Sequence, residues 1–100
     1  MTARLVGRSF VGGAQLSDLN PRLSEYFGSE RGALVIDVLR GTPAFDAGLM
    51  PGDVVVRVGS TEVDGLKAFQ RVLSMVYARE RHAVLSLIRK GEPVLVTLSR

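Results

Sequence analysis

The segment from Gly41 to Val58 limits the possible folds of this chain more than any other stretch. It reads Gly-Thr-Pro-Ala-Phe-Asp-Ala-Gly-Leu-Met-Pro-Gly-Asp-Val-Val-Val-Arg-Val. Thr42 can cap a one-turn helix through its hydroxyl, and Pro43 fits the first helical position because its missing N–H would be unpaired there anyway. Gly48 suits a left-handed C-terminal cap. The segment therefore predicts a short helix, and the β-branched valines that follow predict a strand.

The turn between these two elements has its own chemistry. Pro51 and Gly52 redirect the chain, and Asp53 is expected to accept hydrogen bonds from nearby backbone N–H groups. Taken alone, this pattern is that of a helix-to-strand connection in any α+β domain.

Local patterns also predict the elements that come before this segment. Asn20 as cap and Pro21 in the first turn predict a short helix that ends near Phe27. The apolar run of residues 33–39 is typical of a buried strand, with Asp37 as its surface position.

A longer helix is predicted after the segment, from residue 65 or 66 to about Tyr77, with Asp64 as its cap. Apolar residues recur there at spacings of three and four, which indicates one buried face, while Lys67 and Arg71 face water. The buried face comprises Leu66, Phe69, Val72, Leu73 and Val76. Residues 83–89 and 93–98 then predict a hairpin around Lys90-Gly91-Glu92.

The composition fits a single domain that is stabilised without disulfides or a structural metal ion. The chain has 100 residues, 46% of them hydrophobic, and no cysteine, which excludes disulfides, thiolate zinc sites and thiol catalysis. We predict a lead-in of residues 1–7 and a single domain of residues 8–98. No apolar run approaches the roughly 20 residues that span a bilayer, so no membrane insertion is expected. The N-terminus lacks the apolar core of a signal peptide.

The net charge of +3 does not indicate nucleic-acid binding. Lys and Arg residues are scattered among acidic ones, and the local cluster from Arg79 to His82 contains Glu80. Such a distribution is typical of a solvated surface, so no nucleic-acid partner is predicted.

Catalytic and metal sites are not expected either. His82 is the single histidine, no Gly-x-Ser-x-Gly motif accompanies it, and the carboxylates fall at turns and helix caps. One histidine cannot form a histidine-carboxylate metal cluster. We therefore predict no catalytic residue, no metal ligand and no cofactor.

A pair of glycines near the N-terminus is a candidate ligand contact. Phe10 and Val11 precede Gly12 and Gly13, and a short strand follows through Leu16. Adjacent glycines permit backbone angles closed to other residues and can present N–H groups to an anion. From local sequence alone, an ordinary glycine turn is the more frequent explanation.

In the order of its elements the chain resembles a PDZ domain of the circularly permuted bacterial HtrA/Deg-like type. The resemblance covers roughly residues 8–98. It implies a mainly β fold with helices (α+β), namely a PDZ-like, partly open β-barrel or sandwich of roughly five to six strands capped by two or three helices. The motifs that carry it are Gly32-Ala33-Leu34-Val35, Gly41-Thr42-Pro43-Ala44, Ala47-Gly48-Leu49 and Pro51-Gly52-Asp53-Val54-Val55.

The resemblance also implies a peptide-binding site. In that family a peptide's C-terminal residues add as an extra strand between the strand after the glycine loop and the longer helix, and loop N–H groups hold the terminal carboxylate. Carried over position by position, the implied site comprises Arg8, Phe10, Val11, Gly12, Gly13, Ala14, Gln15, Leu16, Leu66, Gln70 and Leu73.

The chain departs from the family pattern at three of these positions. Gly13 replaces a bulky apolar residue of the loop, and Gln15 stands where an apolar residue is usual. These two changes leave open a roomier and more polar pocket, a register shift by one residue, or a weakened groove. Leu66 replaces a histidine that recognises Ser or Thr two residues before the peptide end, so an apolar ligand residue is expected there.

For function, the resemblance implies a non-catalytic module that recognises protein C-termini or unfolded segments with apolar ends. Its expected setting is the regulatory or substrate-tethering part of an HtrA-like serine protease, periplasmic or otherwise extracytoplasmic, in a parent protein able to oligomerise. The alternative is an interaction or assembly module of a non-protease parent, such as a secretion or scaffolding protein. A Gly-Asn-Ser-Gly-Gly nucleophile motif upstream in the parent would favour the first.

Overall fold

The computed structural model describes residues 8–19, 22, 26–29 and 31–100. The predicted lead-in of residues 1–7 and the predicted helix cap Asn20-Pro21 lie outside this part of the chain. The strands are β1 (Arg8–Val11), β2 (Ala14–Asp18), β3 (Ala33–Val38), β4 (Val54–Val58), β5 (Thr61–Glu62), β6 (His82–Arg89) and β7 (Glu92–Ser99). The delimited helices are α1 (Pro43–Ala47) and α2 (Leu66–Tyr77).

The strands form one open sheet in the order β1-β2-β3-β4-β6-β7, with β5 attached to β4. Every pairing is antiparallel. The predicted class, a mainly β fold with helices that is not fully closed, is confirmed. The described part has seven strands, more than the predicted number, because residues 8–11 form an outer strand of their own.

The segment from Gly41 to Val58 folds as its local chemistry predicts. The Thr42 hydroxyl accepts a hydrogen bond from the Phe45 N–H at 3.3 Å, and Gly48 ends α1 in a left-handed conformation with φ of 90°. Asp53 accepts from the Met50 N–H at 2.9 Å, as expected of the turn. Strand β4 follows directly.

An ion pair that local patterns did not indicate holds this turn to the end of β6. The Asp53 side chain is buried, and its two oxygens accept from Arg89 Nε and Nη2 at 2.8 Å each. Arg89 Nη2 also donates to the Gly48 carbonyl at 2.9 Å. The hydrogen bond to Asp53 raises the pKa of the Arg89 guanidinium, which therefore stays charged beside the buried carboxylate.

The predicted cap of α2 is wrong. Gly65 occupies the N-cap and supplies no side-chain hydrogen bond, while Asp64 is exposed. The Leu66 N–H instead donates to Asp18 Oδ1 at 2.7 Å. Asp18 ends β2, so the sheet brings a carboxylate to the helix N-terminus from 48 residues away, where it satisfies a backbone donor that lacks an intrahelical partner.

The core lies between the sheet and α2. On α2 the residues Leu66, Phe69, Val72 and Leu73 are buried, and Val76 packs against them. From the sheet, the largest fully buried apolar side chains are Leu16, Val35, Val54, Val55, Val58, Leu85, Leu87 and Leu98. Lys67 and Arg71 are exposed as predicted.

Strands β6 and β7 form the predicted closing hairpin. Eight residue pairs align between them, and both residues of the turn, Lys90 and Gly91, have positive φ. His82 begins β6, and its Nδ1 is 2.9 Å from Ser99 Oγ. Over the described ranges, no helix has both the length and the apolarity that a membrane crossing requires.

Candidate functional site

The glycine pair near the N-terminus forms a two-residue turn between β1 and β2. Gly12 has φ of 57° and Gly13 has φ of 94°, and Val11 lies opposite Ala14. Positive φ at both central positions is the requirement of the tight hairpin turn whose twist matches that of the flanking strands. Adjacent glycines meet this requirement without steric cost.

The carbonyl groups of this turn are held by the loop and helix beside it. The Gly12 carbonyl accepts from the Ala44 N–H, and the Gly13 carbonyl accepts from the Leu39 N–H, both at 3.0 Å. Within the described part of the chain, neither glycine N–H donates to a backbone carbonyl. The turn is therefore anchored through its acceptors, and its two N–H groups have no backbone acceptor among the described residues.

Gly13 is required where it stands, because Thr42 fills the space that a side chain would need. A Cβ atom at position 13 would overlap the Thr42 side chain. Thr42 is itself fixed, since its hydroxyl donates to the Leu39 carbonyl at 2.6 Å and caps α1. The bulky loop residue that the resemblance implies is thus replaced by a glycine packed against a threonine.

Strand β2 presents alternating faces beside this turn. Ala14 and Leu16 are fully buried, while Gln15 is half-buried. The pairing with β3 contains a bulge between Gln15 and Leu16, so the strand bends next to the site. One edge of β2 pairs with β3, and the other pairs with β1.

The predicted helix positions divide into two groups. Leu66 and Leu73 are 5% and 4% exposed and belong to the core. Gln70 is half-buried, and its Nε2 donates to the Ser9 hydroxyl at 2.8 Å. Of these three, Gln70 is the side chain that makes a polar contact with β1.

Strand β1 therefore lies between β2 and α2. Ser9 pairs with Leu16 and Val11 with Ala14, which places both residues on the face of β2 that turns toward the core. Val11 packs against the buried cluster. Phe10, opposite Gln15, points the other way and is 62% exposed. The backbone of Arg8 pairs with that of Ser17.

Two residues of this site were missed by sequence reasoning. Ser9 contacts Gln70 of α2, which lies 61 residues later in the chain. Thr42 contacts Gly13 of the glycine turn, which lies about 30 residues earlier. The only local signal for Ser9 was the alternation Ser-Phe-Val before the glycines, which is too short to indicate a strand. Among residues 8–19, 22, 26–29 and 31–100, no group of three or more His, Asp or Glu side chains could hold a metal ion.

Comparison with known families gives one match that covers most of the chain. The family described as PDZ domain matches residues 13–99. The matched range starts inside the glycine turn and includes both β2 and α2.

Similar curated proteins are far longer than this chain. A protein of Chlamydia trachomatis named probable periplasmic serine endoprotease DegP-like is 37% identical in an alignment of 98 residues that covers 92% of this chain and 19% of that protein. A protein of Hahella chejuensis with the same name is 34% identical in an alignment of 88 residues that covers 86% of this chain and 19% of that protein. The chain thus spans about a fifth of these relatives.

Solved structures with the same fold include peptide complexes. A structure described as the HtrA-type protease AlgW with a decapeptide is 26% identical, has a TM-score of 0.68, and aligns over 92% of this chain and 29% of that chain. The HtrA3 PDZ domain bound to a phage-derived ligand has a TM-score of 0.70 over 92% of this chain and 83% of that chain. At 20% identity the second likeness shows the fold alone.

Proposed function

Since this chain belongs to the PDZ family, we propose that it binds the C-terminal residues of other proteins by strand addition along the edge of β2 that faces α2. The observation that carries this proposal is the glycine turn at the start of β2. Its carbonyls are tied to Leu39 and Ala44, and its N–H groups have no backbone acceptor in the described part of the chain. Paired backbone donors of this kind suit a carboxylate.

The direction of the bound peptide follows from this assignment. A carboxylate at the glycine turn lies beside Ala14, where β2 begins, so the peptide runs antiparallel to β2. Backbone pairing supplies affinity that does not depend on sequence, and side chains at alternate positions supply selectivity. The face toward the core accepts apolar side chains, in keeping with ligands that have apolar ends.

The polar group of the groove is the Gln70 side chain. Its amide donates to the Ser9 hydroxyl, so it can equally donate to a hydroxyl of a bound peptide. A Ser or Thr two residues before the peptide end is therefore favoured over the apolar residue that Leu66 suggested. The roles of all these residues in ligand binding are predictions that the following experiments test.

We further propose that the domain regulates, or tethers substrates to, an HtrA-like serine protease outside the cytoplasm. The support is the set of relatives named as periplasmic DegP-like endoproteases, of which this chain spans a fifth. The same comparisons support binding of unfolded or C-terminal segments, because the AlgW structure is described as containing a decapeptide. Membership of a peptide-binding family agrees with the predicted lack of catalysis by this chain.

The proposal is tested with a fluorescent pentapeptide, Gly-Arg-Ser-Phe-Val, prepared with a free carboxylate and with a C-terminal amide. The free acid is expected to bind with a Kd on the order of micromolar, and the amide at least about tenfold more weakly, a loss of about 1.4 kcal/mol. Fluorescence anisotropy measures both constants. Equal binding of the acid and the amide contradicts the carboxylate site at the glycine turn.

A charge-matched pair of variants locates the carboxylate. Gly12→Asn and Gly12→Asp both fit the first position of a turn with positive φ, and the atom nearest to a Cβ at Gly12 is Leu98 Cδ1, at 3.7 Å. The aspartate adds a negative charge beside the proposed carboxylate, so Gly12→Asp is expected to bind the free acid about tenfold more weakly than Gly12→Asn. The amidated peptide should not distinguish the two variants. If the free acid binds both equally, the carboxylate lies elsewhere.

A further inference from the structure

We infer that β1 is an internal occupant of the peptide groove, and that an external peptide binds by displacing residues 8–11 from the edge of β2. The inference rests on the proposed function and concerns the regulation of that same site. It follows from the position, the direction and the side-chain contacts of β1.

The position of β1 is the one that strand addition requires. Strand β2 has two edges, of which one pairs with β3 and the other with β1. The hydrogen bond from Gln70 to Ser9 shows that β1 also contacts α2. No edge of β2 is left for a second strand while β1 stays in place.

The direction of β1 is also that of the proposed ligand. Its C-terminal residue, Val11, lies opposite Ala14 at the glycine turn, and Arg8 lies opposite Ser17. A peptide with its carboxylate at the turn runs the same way. In this register Val11 corresponds to the last residue of a ligand, and Ser9 to the residue two positions earlier.

The contacts of β1 repeat the alternation expected of a ligand. Val11 packs against the buried cluster, the Ser9 hydroxyl accepts from Gln70 Nε2 at 2.8 Å, and Phe10 between them is 62% exposed. An apolar last residue, a hydrogen-bonded residue two before it and a solvent-facing residue between them form a pseudo-ligand within the chain.

Strand β1 is also attached in a way that permits displacement. Four residue pairs hold it, and its covalent link to β2 is the glycine turn, whose two residues tolerate many backbone angles. A peptide that needs the open groove binds with an apparent affinity reduced by the fraction of molecules in which the groove is open. Closing the groove permanently should abolish binding, and opening it should strengthen binding.

The closed state can be locked with a disulfide. The pair next to the one that flanks a two-residue hairpin turn is a non-hydrogen-bonded pair, with Cα atoms about 4.5 Å apart. Phe10 and Gln15 form that pair, and this distance lies within the range of disulfides. The chain has no cysteine, so a Phe10→Cys/Gln15→Cys variant contains only the designed thiols. Both side chains lie on the face away from α2, so the bond itself does not fill the groove.

The open state can be favoured with Ser9→Pro. By the same alternation, Ser9 lies in a hydrogen-bonded pair with Leu16, so proline removes a hydrogen bond of the strand pairing and the contact with Gln70 together. Circular dichroism checks that this variant folds. If it does not, the locked variant carries the test alone, because it is compared with its own reduced form.

Fluorescence anisotropy measures the affinity of the free-acid Gly-Arg-Ser-Phe-Val peptide for the unmodified chain, for the double-cysteine variant in its oxidised and reduced forms, and for Ser9→Pro. We expect the oxidised double-cysteine variant to lose binding at least tenfold, reduction with dithiothreitol to restore it, and Ser9→Pro to bind about tenfold tighter than the unmodified chain. If oxidation abolishes binding but Ser9→Pro binds no tighter than the unmodified chain, β1 does not compete with the ligand, which overturns this inference and leaves the proposed function standing. Equal affinities of the oxidised and reduced forms contradict both, because a locked β1 leaves no edge of β2 free for the peptide. Absence of binding by every form, Ser9→Pro and the reduced variant included, contradicts the proposed function, and the inference falls with it.

Discussion

The two hairpins of this molecule use the same kind of turn for different purposes. Both the β1–β2 turn, Gly12-Gly13, and the β6–β7 turn, Lys90-Gly91, consist of two residues with positive φ. The β6–β7 hairpin aligns eight residue pairs, whereas β1–β2 aligns four. Turn chemistry alone therefore does not say whether a hairpin is a permanent part of the fold.

Burial distinguishes the two hairpins. Leu85, Leu87 and Leu98 of β6 and β7 are at most 1% exposed, so this hairpin forms a large part of the core. In β1 the apolar residue that packs inward, Val11, is only half-buried. Because stability follows buried apolar area, we expect the long hairpin to open only with global unfolding, and β1 to open at much lower cost.

The largest effect is expected in the long hairpin. Leu85 is fully buried, and Leu85→Ala removes apolar contacts and leaves a cavity, at a cost of about 3 kcal/mol. For a domain of this size the Tm should fall by roughly 12–24 °C. Thermal unfolding followed by circular dichroism measures the shift. A shift of only a few degrees contradicts the assignment of this hairpin to the core.

The next largest effect is expected where the long hairpin meets the turn after α1. Arg89→Met leaves the buried Asp53 carboxylate without its bidentate partner and should cost about 2 kcal/mol, somewhat less than for a fully buried pair because Arg89 is partly exposed. Arg71→Met is the control, since Arg71 is exposed on α2 and its loss should change the free energy of unfolding by less than about 0.5 kcal/mol. Urea denaturation measures the free energy of unfolding of both variants. Equal losses in the two would mean that the ion pair contributes little to stability.

A smaller effect is expected at the end of β2. Asp18→Ala removes the oxygen that accepts from the Leu66 N–H and should lower the free energy of unfolding by about 1 kcal/mol. Asp64→Ala is the matched control, because Asp64 is exposed and does not cap α2, so its effect should stay below about 0.5 kcal/mol. If urea denaturation showed that Asp64→Ala lowers the free energy of unfolding more than Asp18→Ala does, Asp64 would be the cap.

The smallest effect is expected in β1. Val11→Ala trims a half-buried side chain and should cost at most about 1 kcal/mol in global stability. The same variant should raise hydrogen-exchange rates at the amides that pair β1 with β2 more than at those of β6 and β7. A global cost as large as that of Leu85→Ala would place β1 in the core and remove the contrast between the hairpins.

The elements that sequence predicted correctly depend on short-range chemistry. Thr42, Gly48 and Asp53 each interact with backbone within a few residues, and the periodicity of α2 is contained in the helix itself. Such features can be deduced from neighbouring residues alone. They determine most of the fold, including where β2 and α2 lie.

The features that sequence did not predict depend on residues far apart in the chain. The Asp18 cap, the partnership of Asp53 with Arg89 and the hydrogen bond between Gln70 and Ser9 span 48, 36 and 61 residues. Nothing in the local sequence around either partner specifies these pairings. The candidate site is assembled from such contacts, so its residues were predicted by family resemblance and not from local patterns. The pairing of β1 with β2 was not predicted at all.

An amide NMR titration of the chain with the free-acid Gly-Arg-Ser-Phe-Val peptide tests directly whether the peptide takes the place of β1 on the edge of β2. We expect the largest shift changes on β1, the Gly12-Gly13 turn and β2, together with the side-chain amide of Gln70, which exchanges its Ser9 partner for the ligand. The amides of β6 and β7 should change little. Shift changes confined to the long hairpin, with an unperturbed Gln70 side chain, would contradict both the groove and its internal occupant.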